Sequence, residues 1–135
     1  MSTNSSISIQ TTKKGGKTIY CHWDGYPSNN GKILKEHYNT KEKVKALIKL
    51  GSLSILGITI GKKVEFNGFD SQKNPQCLAY GRDRGETEVA ATPWEVEIFN
   101  TQQWNYLFKD GVWYVSKYSG EFVLLTDEII EKDEI

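Results

Sequence analysis

Apolar residues recur along this chain with two different periods, and the changes of period divide it into elements. Ile7 and Ile9 alternate with polar neighbours, and a second alternation runs through TIYCHWD at residues 18–24. Gly15 and Gly16 lie between them, so the pattern predicts a β-hairpin. On its second strand Ile19, Cys21 and Trp23 would share one face, with Trp23 in the core. Tyr20, His22 and Asp24 would share the other. Gly25, Tyr26 and Pro27 then end the strand.

The period changes over residues 31–50. Ile33, Leu34, His37 and Tyr38 fall at helical spacing, Asn39 and Thr40 interrupt, and Val44, Leu47 and Ile48 form a second stripe that stops at Gly51. Two short helices meeting at a corner are expected, with His37 part-buried on the apolar face of the first. Asn39 followed by Glu42 resembles a capping box for the second. Residues 51–57 are ambiguous. Strands are predicted over residues 64–66 and 76–80, and residues 81–86 form a charged loop flanked by glycines. Pro93 opens either a helix or a strand over residues 94–99. The clearest hairpin follows, WNYLF and VWYVS joined around Asp110-Gly111. A strand over residues 122–125 and a helical turn over 126–130 complete the chain. The expected fold class is α+β: a mostly antiparallel β-sheet with two short helices, residues 31–50, inserted after an N-terminal β-hairpin, in one domain spanning 1–135.

Composition adds little to the fold but narrows the function. At 38% hydrophobic and 25% charged residues the chain matches ordinary globular domains, not disordered ones. Four Trp, seven Tyr and five Phe leave rings to spare for a binding surface. Cys21 and Cys77 lack metal-type spacing and make no disulfide framework, which fits reduced thiols in a cytoplasm. The opening residues are polar, and the longest apolar-leaning stretch, residues 53–60, is far too short to span a bilayer. No membrane partner is expected.

Net charge is zero but unevenly distributed. Residues 13–49 hold nine Lys against Asp24, Glu36 and Glu42, a balance of +6, and the remainder carries −6. Such asymmetry steers partners, although solvated helix faces produce it as well. Without a net basic surplus, nucleic acid is not the expected partner.

Among candidate residues the arginines stand out. The chain has 15 Lys and two Arg, and both arginines, Arg82 and Arg84, fall within three residues. A guanidinium fork grips phosphate or carboxylate at two points, and Gly81 and Gly85 would let the backbone approach an anion. The competing reading pairs them with Asp83, Glu86 or Glu88, so that they only pin the loop. His22 two residues before Asp24 could form an acid–base pair. The alternative makes His22 a structural imidazole and Asp24 a turn cap. Tyr26 and Tyr80 are rings free to stack on a ligand. No nucleophile elbow, Walker loop or zinc-binding sequence occurs, so neither a metal nor a cofactor is expected.

YCHWDGYP at residues 20–27, NGKIL just after it and GRDRGE at 81–86 resemble a family of small proteins encoded by tailed phages and prophages. The resemblance covers residues 17–86. It implies a setting, the cytoplasm of a bacterial host, and an accessory role against host physiology or defence. It carries no catalytic residue with it. The leading expectation is therefore a protein that acts by binding, sequestering a phosphorylated nucleotide signal with Arg82, Arg84, Tyr26, Tyr80 and His22, in a pocket that a homo-oligomer would enclose well. A protein–protein inhibitor of a host defence protein is the alternative. A small hydrolase or transferase using His22 and Asp24 is the third.

Overall fold

The computed structural model describes residues 2–94 and 101–135. Eight strands form one mixed, mostly antiparallel sheet, and the fold is α+β. Strands β1 (Ser5–Gln10) and β2 (Gly16–Cys21) form the first hairpin, with Ile7 opposite Ile19. The turn is made by residues 11–15, and Gly16 already belongs to β2. A Cβ there would lie 1.8 Å from the Ile9 carbonyl oxygen, so only glycine fits.

The helical stretch follows as expected. A single π turn (Pro27–Gly31) leads into α1 (Lys32–His37), and α2 (Lys41–Lys49) comes after the corner. The cap of α2 is Thr40 rather than Asn39, its hydroxyl accepting the Lys43 N–H at 3.3 Å. The helix begins at Lys41, so Thr40 and not Asn39 holds the position whose side chain can reach the first turn. His37 is exposed, contrary to the packing role expected for it, because Leu34 and Tyr38 supply the buried face of α1.

The ambiguous stretch contains β3 (Leu53–Ile55), which pairs with the end of β2. Of the two strands expected next, the first does not form: residues 64–66 are a loop held by side chains. The second shrinks to β4 (Leu78–Ala79), and the supposed loop after it is a short helix, α3 (Tyr80–Arg84), closed by Gly85 at φ 74°. Pro93 lies within β5 (Thr92–Trp94), which pairs with β2, so the helix or strand expected over residues 94–99 is described only at Trp94. The rest of that segment lies outside the described residues. Strands β6 (Trp104–Lys109) and β7 (Val112–Lys117) form the aromatic hairpin, with Asp110 at φ 53° and Gly111 at φ 80°, as a two-residue turn of this hand requires. Strand β8 (Val123–Leu124) and α4 (Asp127–Lys132) follow.

The strand order is β4-β3-β2-β1-β6-β7-β8, with β5 also on β2. One pairing decides the architecture. β1 and β6 run parallel, Ile7 beside Tyr106 and Ile9 beside Phe108, which joins the two hairpins at the sheet's centre. Ile7, Ile9, Ile19, Tyr106, Phe108 and Val115 lie on the buried face, covered by Leu34, Tyr38, Val44, Leu47 and Ile48. Each such side chain contributes about 1.5–3 kcal/mol on burial. Two hydrogen bonds fix the helices over the sheet: the Trp113 indole N–H donates to the Tyr38 carbonyl and the Tyr38 hydroxyl to the Gly57 carbonyl, both at 2.8 Å. Among the described residues no helix is long and apolar enough to cross a membrane.

Candidate functional site

The arginine segment separates into one inward and one outward residue. Helix α3 buries Asp83, whose carboxylate accepts the backbone N–H groups of Ala79 at 2.8 Å and Val64 at 3.1 Å. Arg82 closes on the same carboxylate and also donates to the carbonyls of Ile60 and Cys77, each at 2.8 Å. This knot replaces the ladder that residues 64–66 would need as a strand. Arg82 is a structural pin.

Arg84 points outward. Its guanidinium holds Glu86 Oε2 at 2.7 Å and lies over the stacked rings of Phe66 and Tyr80, 4.4 and 4.9 Å from their centroids. Both forks thus already face carboxylates of their own chain, and the competing reading of this pair fits the geometry.

His22 lies past the end of β2, where Asp24 at φ 55° turns the chain. Trp23, expected in the core, also lies beyond the end of β2 and is 42% exposed. His22 Nδ1 meets the Tyr20 hydroxyl at 2.7 Å, not Asp24, which instead accepts from Tyr26 at 3.3 Å. The expected His22–Asp24 pair is therefore replaced by two others. Trp23 stands edge-on to His22 at 4.8 Å. Burial, and next the nearby Tyr80, raises the Tyr20 phenol above its ordinary pKa. Tyr20, His22 and Trp23 thus form one ring cluster, and Phe66, Tyr80 and Arg84 another, with Tyr26 paired to Asp24 at the turn beyond.

A cleft lies elsewhere, at the end of the sheet. Because β1 and β6 are parallel, the turn after β1 and the turn after β6 emerge side by side, and the start of α2 closes over them. The cleft has a volume of about 610 Å³ and is lined by Thr11, Thr12, Lys13, Asn39, Thr40, Lys41, Lys109 and Asp110, with Ile9 and Phe108 beneath. A second cleft of about 460 Å³ shares Ile9 and Thr11 with it and adds Lys17, Lys45 and Lys49. Among the described residues none of these six lysines forms an ion pair. Lys41, Lys45 and Lys49 recur every four residues, one stripe of α2.

Five of these lysines, all but Lys109, were visible in the sequence as a local surplus of charge. Their convergence was not, since Lys109 joins the others only through the β1–β6 pairing. Chemically the cleft offers ammonium groups, hydroxyls and an amide to a compact anion. No family model, no curated protein and no solved structure matches this chain.

Proposed function

We propose that this protein acts by binding, capturing a phosphorylated small molecule in the lysine-walled cleft at the end of its sheet. The observation that carries this reading is the gathering of Lys13, Lys41 and Lys109 around one concavity, none of them in an ion pair among the described residues. The volume of about 610 Å³ falls within the range of small-ligand sites. Phosphate oxygens would take the lysine ammonium groups and the Thr11 and Thr12 hydroxyls. The positive end of α2, opening at Lys41, adds to the attraction. The cleft is complete within one protomer, so capture does not require a pocket shared between two.

Sequestration of a nucleotide signal by a phage accessory protein is the biological role consistent with such capture, with the anion held by these lysines and not by Arg82 and Arg84. Calorimetry in low salt with nucleoside mono-, di- and triphosphates tests it. Affinity should fall as salt rises, and Lys41→Ala with Lys109→Ala should weaken binding about tenfold per lysine. The bound compound should be recovered chemically unchanged after denaturation. Absence of binding by every phosphorylated compound tried would overturn the reading.

A second reading, an inhibitor that occupies a host protein, is favoured by a different observation. Trp23, Tyr20, Tyr80 and Arg84 are residue types that dominate protein interfaces, and Trp23 is 42% exposed. Recovery of one stoichiometric partner from bacterial lysate, lost in Trp23→Ala and kept in the lysine variants, would establish it in place of the first.

A further inference from the structure

The lysine cleft has a neighbour across the β6–β7 turn. Asn39 and Gly111, which line it, also line a third cleft of about 480 Å³ between the start of β7, the end of β8 and the close of α1. Its character is different. Trp113 and Leu125 are buried beneath it, and Val112 and Leu124 form walls that are 41% and 50% exposed. At its rim Lys35 holds Asp127 at 2.8 Å, so the nearest ammonium is already neutralised. The charged cleft therefore borders a more apolar one, and the two share Asn39 and Gly111.

We propose that the two clefts form one bipartite site for a nucleotide. The phosphates rest among Lys13, Lys41 and Lys109, and a flat ring joined to them lies against Val112 and Leu124. Two physical reasons favour this occupant over a bare anion. Half-exposed apolar walls in a concave site gain from being covered by an apolar face, and a phosphate cannot supply one. The Asn39 amide sits where the clefts join, and the Lys35–Asp127 pair stands at the rim, so a ring edge with donors and acceptors finds counterparts while its face stays dry. Asp110 lines the phosphate end and disfavours crowding of negative charge next to the turn, which leaves the extra charge to the Lys17, Lys45 and Lys49 side.

This inference rests on the phosphate-binding reading and adds what the rest of the ligand is. Calorimetry on the full chain with ATP, GTP and inorganic tripolyphosphate separates the two. The nucleotides should bind at least tenfold more tightly than tripolyphosphate. Val112→Thr combined with Leu124→Ser should abolish that advantage while leaving tripolyphosphate affinity unchanged. Lys41→Ala with Lys109→Ala should weaken all three ligands together. Equal binding of tripolyphosphate and both nucleotides to the parent protein, or an advantage that survives the double apolar substitution, would overturn the bipartite site and leave the phosphate reading standing. Failure of all three ligands to bind would overturn both.

Discussion

The Arg82 guanidinium meets the Asp83 carboxylate at two points, Nε to Oδ1 at 3.0 Å and Nη2 to Oδ2 at 3.1 Å, although the residues are adjacent in sequence. The Asp83 side chain has no exposed surface and that of Arg82 is only 18% exposed. Removal of Arg82 would leave a buried carboxylate without its counter-charge. Arg82→Ala should therefore cost about 3–5 kcal/mol. Arg82→Lys should recover only part of that, because one ammonium cannot span two carboxylate oxygens and two carbonyls. Urea unfolding of the three proteins measures both. A lysine variant as stable as the parent would show that the fork geometry does not matter.

The same pair should be visible in acid. Burial pushes the Asp83 carboxyl up, but hydrogen bonds from Arg82 and from the Ala79 and Val64 N–H groups outweigh it and hold the group below its ordinary value. A folded pKa below the unfolded one, about 3.9, gives stability that is present above the unfolded value. It is lost as pH falls through the folded value. Asp83→Asn should flatten this acid limb. Urea midpoints taken from pH 5 downward would show the parent declining more steeply than the variant.

Arg84 should behave differently. Its pair with Glu86 is open to water, with side chains 45% and 40% exposed, and its contact with Phe66 and Tyr80 is a surface one. Arg84→Ala should cost less than about 1 kcal/mol. A loss as large as that of Arg82→Ala would mean that the Phe66–Tyr80 stack depends on the guanidinium.

Both thiols should be silent in the native protein. Cys21 and Cys77 are buried, and burial pushes the Cys21 pKa up to about 12. Little thiolate is present at pH 8, and reagents cannot reach it. Reaction with a disulfide-exchange reagent should be at least about a hundredfold slower than in denaturant. Fast labelling of one thiol under native conditions would show that its surroundings open readily.

Gly16→Ala tests the first hairpin. The added methyl would overlap the Ile9 carbonyl and press on the Trp94 ring, so a loss of about 3 kcal/mol or more is expected. Gly68→Ala is the control. At φ 78° with open space around it, only the backbone preference is lost, about 1–2 kcal/mol. Thermal unfolding of the two variants should rank them in that order.

The alternation around Ile7, Ile9 and Ile19, the helical stripes through Leu34 and Leu47, and the Asp110-Gly111 turn were all legible, because each is set by residues close in sequence. The pattern misled where side chains replaced the ladder: residues 64–66 look like a strand but hang from Asp83. It misled again at Trp23, because β2 ends at Cys21 and the ring no longer follows the strand's alternation. His22 and Asp24 were expected to pair, and Tyr26 to be a free ring, whereas Tyr20 meets His22 and Tyr26 meets Asp24. Which of them pair depended on how sharply the chain turns there.

The sequence by itself determined both hairpins, the two helices between them, the α+β class and the surplus of lysine between residues 13 and 49, since these depend on composition and short-range period. Tertiary structure alone decided that β1 runs parallel to β6, with Ile9 beside Phe108. A parallel pairing between strands about a hundred residues apart leaves no signal in spacing. It is fixed by the fit of two apolar faces under the helices, and it is what brings Lys13 and Lys109 to the same cleft.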